Sequence, residues 1–243
     1  MEILPNITAA EGNDTIIEHV YEMPAYAKII IIVMYSTIVI VAVGGNAIVC
    51  YIVLAYQRMR TVTNYFIVNL ACSDILMAAL CIPFTFIANI LTHYWPFGSI
   101  MCPIVTYSQV VTVFLSAFTL VAISLDRYIA IIYPLRPRMT TKQAAVVILV
   151  IWFLSLSVPL PIAILSRTHQ QNDSTGVIRD FCEEDWPSPR QRYLYSIAIM
   201  VLQYFLPLFV LLFTYTRIGI AIWVKKIPGE AQNMRDQRMA ASK

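Results

Sequence analysis

The sequence predicts an all-α membrane protein whose chain crosses the bilayer five times, and three observations carry that prediction. Hydrophobic residues make up 59% of the 243 and charged residues only 13%, with a mean hydropathy of +0.69. A soluble domain carries charge on about a quarter of its residues. The apolar residues gather into five runs, about 27–56, 62–91, 99–132, 143–165 and 193–224, each long enough to cross roughly 30 Å of hydrocarbon at about 1.5 Å per helical residue. The third run ends in Asp126-Arg127-Tyr128, flanked by Val121-Ala122-Ile123 and Ile129-Ala130-Ile131-Ile132. Bare charge in such a setting is expensive and marks function by default.

Residues 1–26 are polar, contain no Lys or Arg and carry Glu2, Glu11, Asp14, Glu18 and Glu22. They lack the basic start and short apolar core of a cleavable signal, so the tail is expected to stay on the mature protein as an extracellular segment. Asn6-Ile7-Thr8 and Asn13-Asp14-Thr15 make Asn6 and Asn13 candidate glycosylation sites.

In the first run Gly44-Gly45-Asn46 sets an amide at membrane depth, which is expected to find a partner on a neighbouring helix. The second run holds Asn69-Leu70-Ala71-Cys72-Ser73-Asp74 and then Pro83. Asp74 reads either as an ion or proton site facing the bundle interior or as a neutral acid that holds helices together. A short outer connection follows, with Trp95 expected at the membrane interface. Cys102 lies 25 residues before Arg127, roughly 37 Å along a helix, so the third helix carries a cysteine at one membrane surface and the Asp-Arg-Tyr at the other.

The fourth run contains Trp152, expected to make a polar contact in the bundle, and Pro159 and Pro161, which mark kinks. The connection from Ser166 to Arg192 reads as an outer loop with an acidic core: Asp180, Glu183, Glu184 and Asp185 surround Cys182, and Asn172-Asp173-Ser174 makes Asn172 a third glycosylation candidate. The fifth run includes Gln203, Pro207 and Tyr215, and Lys225-Lys226 opens a polar segment, 226–243, read as the start of a cytoplasmic loop.

Twelve basic residues fall in the segments read as cytoplasmic and five in the outer ones, which puts the amino terminus outside. Cys50, Cys72 and Cys81 sit inside apolar runs and behave as small hydrophobes. Cys102 and Cys182 both face the oxidising side, which makes a bridge between them plausible, although the sequence does not fix the pairing.

Taken in order, Gly45-Asn46, Leu70-Ala71-Cys72-Ser73-Asp74, Trp95, Cys102, Asp126-Arg127-Tyr128, Trp152, Cys182, Pro207 and Tyr215 resemble the landmarks of a rhodopsin-like (class A) G-protein-coupled receptor, from the amino terminus through the fifth helix. The resemblance implies a partial seven-transmembrane bundle with five of the seven helices, an outer ligand pocket and an inner face for a heterotrimeric G protein. It implies that Asp126 holds Arg127 at rest, that Arg127 and Tyr128 meet the G protein with Tyr215 supporting the open state, and that Asp74 and Ser116 line an allosteric sodium site.

Gln109 lies two helical turns deeper than Cys102 and faces the same way. Receptors for biogenic amines carry an Asp at the matching position, so a neutral amide argues against a monoamine. Gln109 with Thr85 and Gln203 resembles the pocket of neuropeptide Y-like receptors. The segment Lys225-Lys226-Ile227-Pro228-Gly229-Glu230, running on to Arg235-Asp236-Gln237-Arg238, is similar to invertebrate members of that group, including RYamide receptors. Their ligands end in an amidated Arg-Tyr or Arg-Phe. The acidic residues Asp180, Glu183, Glu184 and Asp185 would then concentrate and orient a cationic peptide; the alternative is that they only keep the surface solvated.

The sequence ends at Lys243, before the runs that would carry the family's Cys-Trp-x-Pro and Asn-Pro-x-x-Tyr. The expectation is a partial record of a plasma-membrane receptor that does not signal by itself. The alternative is a truncated isoform that forms a dimer with the full receptor and holds it inside the cell. The alternative from another class is a multi-span transporter or channel, but the sequence shows no internal repeat and no paired broken helices of the kind that make transport sites. His19, His93 and His169 all fall in outer segments without ligand-like spacing, so no enzyme is expected. Neither a nucleic-acid partner nor a cofactor beyond sodium is expected, and the remaining partner is membrane lipid.

Overall fold

The computed structural model describes residues 24–172 and 176–241, with side chains described as far as Trp223. The candidates Asn6 and Asn13, the acidic tail, the Asp173-Ser174 part of the third sequon and the side chains from 224 onward lie outside the described residues. Among the described residues five helices are long and apolar enough to cross a membrane: α1 (Ala25–Ala55), α2 (Val62–Thr92), α3 (Gly98–Ile132), α4 (Thr141–Leu165) and α5 (Pro189–Trp223). Their ends follow local chemistry. The Thr61 hydroxyl caps α2 by accepting from Asn64 N, and Thr140 and Gln143 form a reciprocal capping box at the start of α4. The fifth helix begins four residues earlier than the apolar run suggests, because Ser188 accepts from Gln191 N and Pro189 occupies the first helical position.

Large apolar side chains point outward, among them Ile40, Val41, Phe209 and Trp223, while Ser73, Thr119, Ser124, Ser155 and Thr214 are fully buried. That inversion of a soluble protein's pattern is what lipid as solvent requires: small polar residues let helices approach, and bulky apolar ones meet the acyl chains. The centre is α3, a third of whose most apolar window is buried against 6% for α1. It packs on α2, α4 and α5, with Cys102, Val105, Phe114 and Leu115 fully enclosed.

Prolines shape the helices as their missing N–H predicts. Pro83 and Pro207 each follow a π-helical turn, Met77–Cys81 and Val201–Phe205, since each ring frees the carbonyl four residues back and the helix widens. In α4 the regular hydrogen bonding breaks at Val158–Pro159. Two tyrosines reach the interrupted turn: Tyr107 Oη donates to Leu156 O at 2.7 Å and Tyr195 Oη to Val158 O at 3.3 Å.

The connection read as a loop is a β-hairpin, β1 (Ser166–Asn172) against β2 (Ile178–Glu184), antiparallel, with Thr168 opposite Cys182. Cys182 is bonded to Cys102, Cα to Cα 5.6 Å, closing a loop 80 residues apart in sequence. By loop entropy that link is worth about 4–5 kcal/mol. Trp95 N donates to Asp180 O at 2.7 Å, and Asp185 N donates to Leu165 O at 2.9 Å. The hairpin is thereby fixed over the bundle at three points.

Three local expectations are corrected. Trp95 is 5% exposed and packs on Ala88, Cys102 and Val105, with Nε1 donating to Gly98 O at 2.8 Å; it is a core residue beneath the hairpin rather than an interfacial ring. Asn46 Nδ2 donates to Ala42 O of its own helix at 2.9 Å, one turn back rather than across to a neighbour. The third is the hairpin itself. The segment from 226, read as the start of a cytoplasmic loop, is helical through Ala241.

Candidate functional site

At the disulfide end of the bundle two cavities of about 410 Å³ each flank α3. The first lies between α2, α3 and β2 and is lined by Thr85, Asn89, Gln109, Phe181 and Glu183, with the disulfide as part of its wall. Gln109 is exposed into it, as the seven-residue spacing from Cys102 predicts. Thr85 Oγ1 spends its proton on its own helix, donating to Cys81 O at 2.9 Å, and so offers the cavity only acceptor capacity. The second cavity lies between α3 and α5 and is lined by Val110, Val113, Glu184, Tyr195, Gln203 and Tyr204. There Glu184 Oε2 accepts from Trp186 Nε1 at 2.6 Å, and the Trp186 ring packs on Tyr195 at 4.9 Å.

The sequence-predicted ligand residues are thus divided. Thr85, Gln109 and Glu183 share one cavity, and Gln203 and Glu184 share the other. Asp180 and Asp185 line neither, their backbones being the anchors of the hairpin. Each cavity therefore presents one carboxylate from β2 beside carboxamides from the membrane helices, Asn89 and Gln109 in the first and Gln203 in the second, an arrangement suited to a ligand with a cationic group and a neutral hydrogen-bonding end. Tyr94, Phe181, Tyr195 and Tyr204 were not among the expected site residues. Tyr94 also carries the Arg179 guanidinium over its ring at 4.4 Å, a cation–π contact that sequence spacing does not signal.

Between the two ends runs a polar seam. Ser116 Oγ donates to Asp74 Oδ1 at 3.3 Å and lies 2.8 Å from Ser73 Oγ. Asp74 and Ser116 are brought together as expected, and Ser73 joins them. Below, Trp152 Nε1 donates to Asn69 Oδ1 and Asn69 Nδ2 donates to Thr119 Oγ1, each at 2.8 Å. That chain joins α4, α2 and α3, so Trp152 makes its polar contact as read, through a partner not singled out. A carboxylate with two hydroxyl oxygens is a donor set that suits a hard cation.

At the opposite end Thr63 Oγ1 donates to Asp126 Oδ2 at 3.0 Å. Asp126 thus turns to α2 while Arg127 is exposed. Tyr128 sits near Phe213 of α5, ring centres 6.1 Å apart. Pro207 is buried, below its π turn, and Tyr215 is 53% exposed without a bundle partner among the described residues.

The family described as 7 transmembrane receptor (rhodopsin family) matches residues 45–242. Among curated proteins the chain is 51% identical over 221 residues to the RYamide receptor of Drosophila melanogaster, covering 90% of this chain and 48% of that protein. It is 47% identical to the RYamide receptor of Tribolium castaneum, covering 86% and 59%, and 37% identical to the tachykinin-like peptides receptor 99D of Drosophila melanogaster, covering 90% and 44%. The chain spans about half the length of these relatives.

Proposed function

Because the chain belongs to the rhodopsin family of seven-transmembrane receptors, we propose that it serves as a plasma-membrane receptor for a neuropeptide ending in an amidated Arg-Tyr or Arg-Phe, signalling through a heterotrimeric G protein. The observation that carries this reading is the pairing of Glu183 with Gln109 and Glu184 with Gln203 in the two cavities beside the disulfide. A guanidinium seeks a carboxylate in bidentate geometry, and a terminal carboxamide seeks a group that both donates and accepts, as glutamine does.

The twelve-to-five distribution of basic residues supports an amino terminus outside the cell. The acidic hairpin then faces the ligand and Arg127 faces the cytoplasm, where the G protein binds. Asp74, Ser116 and Ser73 would hold a sodium ion, which their neighbouring oxygens support.

The test uses the full-length receptor in cells, with G-protein dissociation as readout. Peptides ending in amidated Arg-Tyr should activate it, and the same peptides with a free carboxylate should be weaker by about tenfold or more, since a charge would then face neutral glutamines. Equal potency of the two forms would refute the role given to Gln109 and Gln203.

A further inference from the structure

Glu183 and Glu184 are consecutive in sequence and unequal in their surroundings. Side chains of neighbouring strand residues turn to opposite faces, so Glu183 lines the first cavity and Glu184 the second. Glu183 is exposed. Glu184 is half-buried, and its Oε2 accepts from Trp186 Nε1 at 2.6 Å. A short hydrogen bond to an ionised group is among the strong ones and holds the carboxylate in one orientation.

The local sequence fixes Trp186 just as firmly. It lies in the link 185–188 between the end of β2 at Glu184 and the start of α5 at Pro189. One end of that link is tied by Asp185 N, which donates to Leu165 O at 2.9 Å. The other is tied by Ser188, whose hydroxyl accepts from Gln191 N and caps α5. Pro187 follows Trp186 and restricts its backbone to the extended region. The indole ring packs on the Tyr195 ring at 4.9 Å, and Tyr195 Oη reaches across to Val158 O at the interrupted turn of α4. The indole is thus braced by a link anchored at both ends and by a tyrosine that bridges α5 and α4.

An indole N–H donates one bond and accepts none, whereas an ionised carboxylate has about four acceptor sites. The bond to Trp186 takes one of them and leaves the rest of Glu184 to the second cavity, where Gln203 and Tyr204 also lie. A side chain held in place beforehand loses little freedom when a ligand arrives. We propose that Trp186 is a positioning residue: it presets Glu184 as the anchor for the guanidinium of the bound peptide, while the exposed Glu183 serves attraction. The division follows the behaviour of interface charges, since a rim charge governs association and a hydrogen-bonded, desolvated one governs dissociation. The inference rests on the peptide reading of the two cavities.

The test measures association and dissociation rates of an amidated Arg-Tyr peptide on the full-length receptor in lipid nanodiscs. Trp186→Phe keeps a ring beside Tyr195 and removes the N–H. It should leave association unchanged, because no charge is lost, and should speed dissociation by about fivefold through the lost preorganisation of Glu184. Glu183→Gln should do the reverse, slowing association at low salt with little change in dissociation. In a Glu184→Gln background, Trp186→Phe should change dissociation by less than about twofold; a purely structural role for the indole would produce no such dependence. Melting curves should show each variant folded. A folded Trp186→Phe receptor that releases the peptide at the parent's rate would overturn the positioning role, and so would an equal effect in the Glu184→Gln background. A parent receptor that binds no such peptide would refute the peptide reading and the role of Trp186 with it, whereas a parent that binds and a Trp186→Phe variant that behaves like it would refute the role of Trp186 alone.

Discussion

Replacing Asn69 by alanine breaks the polar chain that joins three helices. Asn69 is 7% exposed; its Oδ1 accepts from Trp152 Nε1 and its Nδ2 donates to Thr119 Oγ1, each at 2.8 Å. The substitution leaves the indole N–H without an acceptor in a water-free site, at about 1–3 kcal/mol. Thr119 keeps its own bond to Leu115 O at 2.6 Å, so the second loss is smaller, about 0.6 kcal/mol as for an average interhelical bond in a membrane. The sum is about 2–3 kcal/mol, or a fall in melting temperature of about 5–10 °C for a chain of this size. Circular dichroism melts of the purified chain in detergent measure it. Trp152→Phe removes the donor instead, and the double variant should be less destabilised than the sum of the two by about 1 kcal/mol. A melting temperature within 1 °C of the parent for Asn69→Ala, or strict additivity in the double variant, would refute the account of this network.

Three further outcomes follow from the same geometry. Cys102→Ser with Cys182→Ser should lower stability by about 4–5 kcal/mol and free the hairpin, measured as a melting shift and as proteolysis near Gly176 that the parent resists. Tyr107→Phe and Tyr195→Phe should each lower the melting temperature by about 2–4 °C, through loss of roughly 1 kcal/mol apiece, with Tyr107 the larger because its bond is 2.7 Å against 3.3 Å. Sodium chloride should raise the melting temperature of the parent above that in choline chloride, and Asp74→Asn should abolish the difference by removing the carboxylate charge.

The membrane class and the helix spans were legible because lipid imposes a coarse rule on sequence: long apolar runs separated by charge. The facing of Gln109 was legible because seven residues make two helical turns. The hairpin was hidden because Ser166–Asn172 is polar throughout and lacks the alternation that marks a strand. Its structure comes from tertiary anchors, the Cys182 bond and the Trp95 N–H, which no local pattern encodes. Asn46 and Trp95 were misread for a related reason. A side chain that finds its partner one turn back, or beneath a strand folded over it, has the same local sequence as one that meets a neighbouring helix or a lipid headgroup. The division of the ligand residues into two cavities was likewise invisible, since it depends on which way consecutive residues Glu183 and Glu184 turn from a strand.

The most direct test of the peptide-receptor account is the association rate of an amidated Arg-Tyr peptide with the full-length protein, compared with Glu183→Lys/Glu184→Lys at low and at high salt. The account predicts that charge reversal slows association by about tenfold at low salt and that the difference shrinks as salt screens the hairpin. An unchanged rate and affinity at both salt concentrations would contradict it, and would leave the acidic residues of β2 as surface solvation alone.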